Sequence, residues 1–325
     1  MREVYRMYRI GIDLGGTNIA AAIVNSDFKI VKKMSVPTGA EREASLIMDD
    51  MAALCKNVCA EAGIDFSEIE AIGIASPGVA NHTDGIIAYS CNLPFRQFPI
   101  CAELKARLGI DNVHVENDAN AAAWGEAVAG AAKGAKDSVM ITLGTGVGGG
   151  VIIDGKVFSG FNYAGTELGH IVIQVGGRQC GCGRRGCWEA YSSATGLIKM
   201  TEEKLEECKA SGRETAMTAI AEKYGKVNGR VAFDGYRAGD AAAKEVVDEY
   251  ITYLASGLAS IVNIFQPEVL SIGGGISGEG QFLLDLVTPI VTEEMYGGDF
   301  IKPTKIVIAE LGNDAGIVGA AFLGI

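Results

Sequence analysis

Positive charge is in short supply in this sequence. Lys and Arg number 28 against 40 Asp and Glu, for a formal net charge of −12. A sequence-independent nucleic-acid binder needs a basic face, so no nucleic-acid partner is expected. A small bound polyanion is compatible, because a local field can oppose the net charge. The opening segment Met1-Arg2-Glu3-Val4-Tyr5-Arg6 lacks the apolar core of a signal peptide. A membrane span is missing too. The longest relevant uncharged run, 250–267, carries Thr252, Ser256, Gly257, Ser260, Asn263 and Gln266, ends at Pro267, and predicts a buried helix. A cytoplasmic location is expected, where the eight cysteines are thiols or metal ligands rather than disulfides.

Glycine is plentiful. Its 44 residues are about twice the average share, without a Gly-x-y period, so backbone must turn tightly or approach something closely at many places. Hydrophobic content of 48% and charged content of 21% describe a globular chain, not a disordered tail or a rod. A length of 325 residues predicts two domains at about 150 residues each.

The chain opens with a strand from Tyr8 to Ile12, a tight turn, and an apolar strand from Ile19 to Val24, a β-hairpin pattern. Residues 41–62 carry Leu46, Ile47, Met51, Leu54 and Val58 at helical spacing. Ile69–Ala75 reads as a buried strand stopped by Ser76-Pro77-Gly78, and Cys101–Leu108 as a short helix. Val113–Glu116 is a strand, after which Asn117-Asp118 opens an alanine-rich helix running to about Ala132. A second strand–turn–strand spans Ser138–Ile153. Ile12-Asp13-Leu14-Gly15-Gly16-Thr17 aligns with Ile141-Thr142-Leu143-Gly144-Thr145-Gly146, and Ala22–Asn25 with Val151–Asp154, at a constant offset of 129 residues. A repeat at domain-length spacing predicts duplicated strand–hairpin–strand cores in two lobes around a cleft. Residues 200–250 read as charged helix with few site-like features. Val269–Ile272 is a buried strand running into Gly273-Gly274-Gly275, and Ala315–Leu323 a terminal helix.

Gly15-Gly16-Thr17-Asn18 and Gly144-Thr145-Gly146 are candidate anion cradles, since glycine lets backbone N–H groups point at an anion and Thr adds a hydroxyl donor. Neither holds a lysine, which excludes a Walker A loop, and neither fits G-x-G-x-x-G opening a helix. Asp13 is either a turn cap or a carboxylate that holds Mg²⁺ through water. Asn117-Asp118 is either a helix cap or, with the helix N-terminus favouring the ionised carboxylate, a proton acceptor. Glu167 and His170 share one side of a helical turn. His170, Cys180, Cys182 and Cys187 make a Cys₃His set, by ligand type a closed structural zinc site, with Glu189 immediately after it. His82 and His114 read as a loop and a strand residue.

Taken together, Asp13-Leu14-Gly15-Gly16-Thr17-Asn18, Glu116-Asn117-Asp118-Ala119-Asn120, Leu143-Gly144-Thr145-Gly146, Glu167-Leu168-Gly169-His170 and Cys180-x-Cys182-Gly183-x-x-Gly186-Cys187-x-Glu189 closely resemble the ROK (repressor, ORF, kinase) family of sugar kinases. The resemblance runs over nearly the whole chain from Tyr8, and several details match the family's glucokinases. It implies an α/β, actin-like ATPase (ribonuclease H-like) fold with a smaller lobe of about 1–118, a larger lobe of about 119–310, and the C-terminal helix, about 311–325, packed on the smaller one. It implies ATP-dependent phosphorylation of the 6-hydroxyl of a hexose, glucose first, with N-acetylmannosamine, N-acetylglucosamine, allose or fructose as alternatives and a non-catalytic sugar sensor behind them. By resemblance Asp118 is the general base. Asn117, Glu167, His170 and Glu189 hold sugar hydroxyls, with Ser76, Pro77, Gly78 and Asn92 lining the same pocket. Asp13, Gly15, Gly16, Thr17, Asn18, Gly144, Thr145 and Gly146 serve the ATP phosphates, and Gly273, Gly274 and Gly275 approach the adenosine. The implied cofactors are ATP, Mg²⁺ and a structural Zn²⁺, and a homodimer is implied. Family repressors carry an N-terminal helix-turn-helix, for which a hairpin beginning near residue 8 leaves no expected room. The zinc knuckle is expected to govern the sugar site and to affect the ATP loops, distant in sequence, less.

Overall fold

The structure, a computed structural model, describes residues 7–325. The N-terminal segment assessed above as a signal lies outside the described residues. In chain order the first half comprises strands β1 (Tyr8–Leu14), β2 (Asn18–Asn25) and β3 (Ile30–Pro37), helix α1 (Ala44–Ala62), strands β4 (Ile69–Ser76), β5 (Val79–Asn81), β6 (Ile86–Tyr89) and β7 (Arg96–Phe98), helix α2 (Ile100–Leu108), strand β8 (Val113–Asn117) and helix α3 (Asp118–Ala129). Strands β9 (Ser138–Leu143), β10 (Val147–Ile153) and β11 (Lys156–Val157) follow. Helices α4 (Glu189–Ser192), α5 (Ala194–Ser211), α6 (Ala216–Tyr224), α7 (Val231–Arg237) and α8 (Ala241–Phe265) precede β12 (Val269–Gly273), α9 (Gln281–Glu294), β13 (Lys305–Ile308) and α10 (Ala315–Ala321).

Two five-stranded sheets share one topology: β3-β2-β1-β4-β8 in the first and β11-β10-β9-β12-β13 in the second. In each, a hairpin with an antiparallel edge strand continues into crossover strands, with β1, β4 and β8 parallel, as are β12 and β13. The duplication expected from the repeated hairpin is therefore present strand for strand. The sequence reading omitted β3, β11, β13 and the small β5-β6-β7 sheet. It also carried the helix after Asn117 to Ala132, whereas α3 ends at Ala129. Beyond it, Ala131 donates its N–H to the Glu126 side chain (2.7 Å) instead of continuing the helix ladder.

The chain divides into two compact units. One holds the chain up to Met140 with Gly150–Thr166 and Ala309–Ile325; the other holds Ile141–Gly149 and Glu167–Ile308. In the first, Ile10, Ile12 and Leu14 of β1 and Ile72 and Ile74 of β4 are fully buried, and Ile47, Met51, Leu54 and Val58 of α1 belong to the same core. Part of the glycine excess lies under α10. A Cβ on Gly11 would sit 1.9 Å from the Ile317 carbonyl oxygen, and one on Gly73 1.7 Å from that of Ala320, so the helix packs directly on strand backbone. In the second unit α8 is capped by Asp240, whose side chain accepts from Ala243 N (2.7 Å), and it buries Tyr250, Leu254, Leu258 and Val262. All eight cysteines are free thiols. Among the described residues no helix is long and apolar enough to cross a membrane.

Candidate active site

In the first unit, three parallel strand ends gather several of the residues singled out in the sequence. Asp13 lies near the end of β1 in register with Ala75, and Ser76 ends β4 in register with Asn117 at the end of β8. The C-terminal edge of such strands is where open α/β sheets collect ligands. Asn117 is the cap of α3: its Oδ1 accepts from Ala119 N (2.9 Å) and Asn120 N (3.2 Å), and its Nδ2 donates to Gly78 O (3.0 Å). The cap is therefore supplied by Asn117. Asp118, the first helical residue, is exposed, with Oδ1 accepting from Ala119 N at 2.9 Å. Protein atoms nevertheless crowd around it. The resulting desolvation raises its carboxyl above the ordinary aspartate range, against the opposing pull of the Ala119 N–H, its own N–H and the Asn117 side chain. Asp13 is half-buried and raised as well, by burial first, then by the charge of Asp118, with Lys33 opposing.

The loops beside these ends are tied down locally. Gly15 N donates to Asn18 O (3.0 Å), closing the first hairpin, and the buried Thr38 holds it from outside through Oγ1 to Gly15 O (2.6 Å). Gly16, Thr17 and Asn18 are exposed at the turn. The structure brings Asn92 against this turn, since a Cβ on Gly16 would lie 3.6 Å from the Asn92 Cβ. Arg96 shapes the loop bearing Asn92 by donating to the carbonyls of Ser90, Leu93 (3.1 Å) and Phe95 (2.6 Å). Pro77 and Gly78 follow the fully buried Ser76, and Gly78, at φ 101°, passes so close to Tyr89 O that a Cβ would lie 2.1 Å from it.

In the second unit Glu167 is exposed and leads into a 3₁₀ turn, Leu168–His170. The four donor atoms of His170, Cys180, Cys182 and Cys187 lie within 4.8 Å of one another, with His170 Nδ1 3.8 Å from Cys180 Sγ and Cys182 Sγ 3.7 Å from Cys187 Sγ. A tetrahedral zinc with Zn–S of about 2.3 Å and Zn–N of about 2.0 Å requires ligand separations of roughly 3.5–3.8 Å, so the residue types and these two separations fit the ion. Trp188, fully buried between Cys187 and Glu189, donates to Tyr253 O (3.0 Å) and anchors this knuckle to α8.

Glu189 then does something its sequence position did not announce. Its Oε2 accepts from Val147 N (3.0 Å), at the first residue of β10, while its Oε1 takes the Cys180 thiol at 3.5 Å. A Cβ on Gly146 would lie 2.4 Å from that Oε2, which explains the glycine. The next residues reinforce the link: Ala194 N donates to Gly144 O (2.9 Å) and Thr195 Oγ1 to Thr145 O (2.7 Å). The segment carrying the knuckle is thus hydrogen-bonded to the second glycine turn, which lies beside it in space although distant in sequence.

Gly273 ends β12, and Gly274, at φ 83°, passes within 2.6 Å (Cβ position) of the Leu143 backbone. Gly275 borders a cavity of about 650 Å³ together with Ala194, Tyr224, Asn228, Arg230 and Ile276. The region 200–250, expected to carry few site-like features, lines part of this cavity. Tyr224 Oη donates to Asp234 Oδ2 (2.8 Å), and Arg237 pairs with both Asp234 and Glu279, so Asp234 and Arg237 of that region join Glu279 in the cavity wall. Asn228-Gly229 was the one signal available, a loop dipeptide between two helices.

Comparison with known proteins identifies the family of the chain. The sequence matches the ROK family over residues 9–325. A glucokinase of Streptomyces coelicolor is 38% identical over 97% of this chain and 96% of its own length. An N-acetyl-D-glucosamine kinase of Aliivibrio salmonicida is 31% identical over 97% of this chain and 99% of its own. A solved structure, a ROK family glucokinase from Streptomyces griseus in complex with glucose and AMPPNP, superimposes with a TM-score of 0.78 at 33% identity, covering 97% of this chain and 98% of that one.

Proposed function

The chain belongs to the ROK family, and we propose that it transfers the γ-phosphoryl group of ATP to the 6-hydroxyl of a hexose, with glucose as the substrate. The observation that carries the reading is the division of labour at the head of α3. Asn117 caps the helix, leaving the exposed carboxylate of Asp118 available to a substrate hydroxyl.

In the reaction the sugar O6 forms a bond to the γ-phosphorus as the bond to the β–γ bridging oxygen breaks. ADP leaves, and the hydroxyl proton passes to Asp118. The protein atoms crowded around Asp118 raise its carboxyl, and a raised carboxyl is the stronger base, which suits that step. Most of the acceleration in phosphoryl transfer comes from positioning and electrostatics. The glycine turns 15–18 and 144–146 present backbone donors to the phosphates, and the cavity beside Gly275 accepts the adenosine. Mg²⁺, arriving with ATP, would neutralise phosphate charge, and Asp13 would hold it. Asn117 keeps one amide N–H for the sugar after donating the other to Gly78 O. Glu167, His170 and Glu189 offer further polar groups, with Ser76, Pro77, Gly78 and Asn92 lining the sugar. His170, Cys180, Cys182 and Cys187 would hold Zn²⁺, which supplies a rigid knuckle and no open coordination position. The enzyme works in the cytoplasm as a homodimer in this reading.

The relative that is an N-acetyl-D-glucosamine kinase supports a second reading in which the sugar carries an N-acetyl group. A coupled ADP-release assay over hexoses and N-acetylhexosamines separates them. The expected result is the highest kcat/KM for glucose, because a site built around hydroxyls leaves its polar groups unpaired with other sugars. A clear preference for an N-acetyl sugar overturns glucose, and no ADP release with any sugar overturns the kinase.

A further inference from the structure

Behind the head of α3 lies a polar cluster that the reaction as described does not use. Glu116 is 3% exposed and Asn120 2% exposed. Glu116 Oε1 accepts from Asn117 N (2.9 Å) and from Asn120 Nδ2 (3.1 Å), and its Oε2 meets His82 Nδ1 at 2.9 Å. The Asn120 Oδ1 lies 3.1 Å from Thr166 Oγ1, whose single proton it shares with the carbonyl of Gly165 at 2.6 Å. Thr166 stands at φ 66°, a costly conformation for a β-branched residue, immediately before Glu167. The outer end is braced as well: the Tyr163 ring meets the His82 ring edge-on at 4.9 Å, and Tyr163 Oη donates to Thr83 Oγ1 (2.7 Å).

A buried carboxylate is expensive to desolvate unless every lone pair finds a partner, and an apolar side chain would fill the same space at lower cost. Here both oxygens are satisfied, and each partner leads to a segment that bears on the substrate. One is the backbone of Asn117, next to Asp118; another is Asn120, one helical turn along and joined to the segment that enters Glu167. Fully satisfied buried networks fix a single geometry.

We propose that Glu116 and Asn120 are positioning residues for the phosphoryl transfer: their buried carboxylate–amide pair sets the orientation of Asp118, and His82 closes the network on its solvent side. This rests on Asp118 being the base. No part of the cluster touches substrate in this account. Its effect is a placement of about 1 Å or less, a scale on which activity can fall roughly 100-fold.

The test compares wild type with Asn120→Leu, Asp118→Asn and the double variant, alongside His82→Phe and His82→Gln, at saturating ATP and glucose. Asn120→Leu keeps the branched shape and the number of side-chain heavy atoms, does not weaken the helix, and removes both side-chain hydrogen bonds. It is expected to lower kcat roughly 10- to 100-fold while ATP KM stays within about 3-fold. Combined with Asp118→Asn it should add nothing, because a positioning residue acts through the group it positions. His82→Phe keeps a ring against Tyr163 at an exposed position where folding is not at risk. It should lower kcat roughly 3- to 10-fold, and His82→Gln, whose amide can donate to Glu116, should restore it. The proposal is overturned by a folded Asn120→Leu enzyme of near wild-type kcat, by losses that multiply in the double variant, or by His82→Phe and His82→Gln matching wild type. If Asn120→Leu does not fold, the His82 pair decides. An Asp118→Asn enzyme that turns over normally overturns the base assignment instead, so the two failures are distinguishable.

Discussion

Asp13 and Asp118 stand at neighbouring strand ends on either side of β4, close enough for the charge of Asp118 to be felt at Asp13. Burial is the larger cause of the rise at Asp13, and the like charge adds to it. Both carboxyls lie above their ordinary value of 3.8, so two ionised groups are held in a place that resists their charge. The catalytic consequence is an acid limb in kcat/KM. Activity requires Asp118 ionised, so it should fall as pH drops, with a midpoint above 3.8. A pH–rate profile whose acid limb lies at or below that value contradicts the raised carboxyl.

Stability carries the opposite sign. A carboxyl raised on folding binds protons more tightly in the native state, so its ionisation destabilises the fold. The penalty is absent below the unfolded value of 3.8 and complete above the raised folded one. Asp118→Asn should therefore melt higher than wild type at pH 7, and the difference should disappear as pH falls toward 3.8. A lower Tm at pH 7 would show that the carboxylate is a structural cap after all. Calorimetry across pH reads both.

His82 behaves in the reverse sense. Its hydrogen bond to Glu116 lifts it above its ordinary 6.5, outweighing partial burial. The protonated ring stabilises the fold fully below 6.5, and that contribution is lost as pH rises through the higher folded value. The Tm advantage of wild type over His82→Phe should thus shrink as pH is raised from 6 to 9 (approximate limits of the scan). An advantage that grows over that range would mean that His82 is not the charged partner of Glu116. His114, lowered chiefly by burial, is common to both proteins and cancels in the difference.

Cys182→Ala should remove zinc and raise the KM for glucose by roughly 10- to 100-fold, because His170 and Glu189 lose their fixed placement. The bond from Val147 N to Glu189 Oε2 extends this to the nucleotide, and ATP KM should rise as well. Metal content by mass spectrometry and two-substrate kinetics check it. Stoichiometric zinc absent from wild type purified without chelators, or an unchanged ATP KM in the zinc-free variant, contradicts the link.

Local pattern made much of this legible. Ala71–Ala75 is a continuous uncharged, buried run that suits a doubly covered strand, and the 129-residue offset exposed the duplicated hairpins. The strand β3 escaped because Lys32 and Lys33 interrupt its alternation, as suits an edge. The strands β5 and β7, three residues each, are too short to carry a period. At the site, ligand type and spacing pointed to the Cys₃His cluster, while the base role of Asp118 came from family resemblance alone. Long-range partners left no trace: nothing in the spacing of Glu189 and Val147, or of Arg96 and Ser90, foretells their hydrogen bonds. The division of roles between Asn117 and Asp118 required dihedral angles, since either residue type caps a helix equally well.

The central claim, that Asp118 is the base of a glucose kinase, is tested most directly by glucose calorimetry and steady-state turnover on one preparation of Asp118→Asn. General-base catalysis is worth roughly 10²–10⁴-fold, about 3–5 kcal/mol. The account predicts a glucose Kd within about 3-fold of wild type, since the sugar is held by other groups, and a kcat at least about 100-fold lower. Normal glucose binding with near-normal turnover would contradict it.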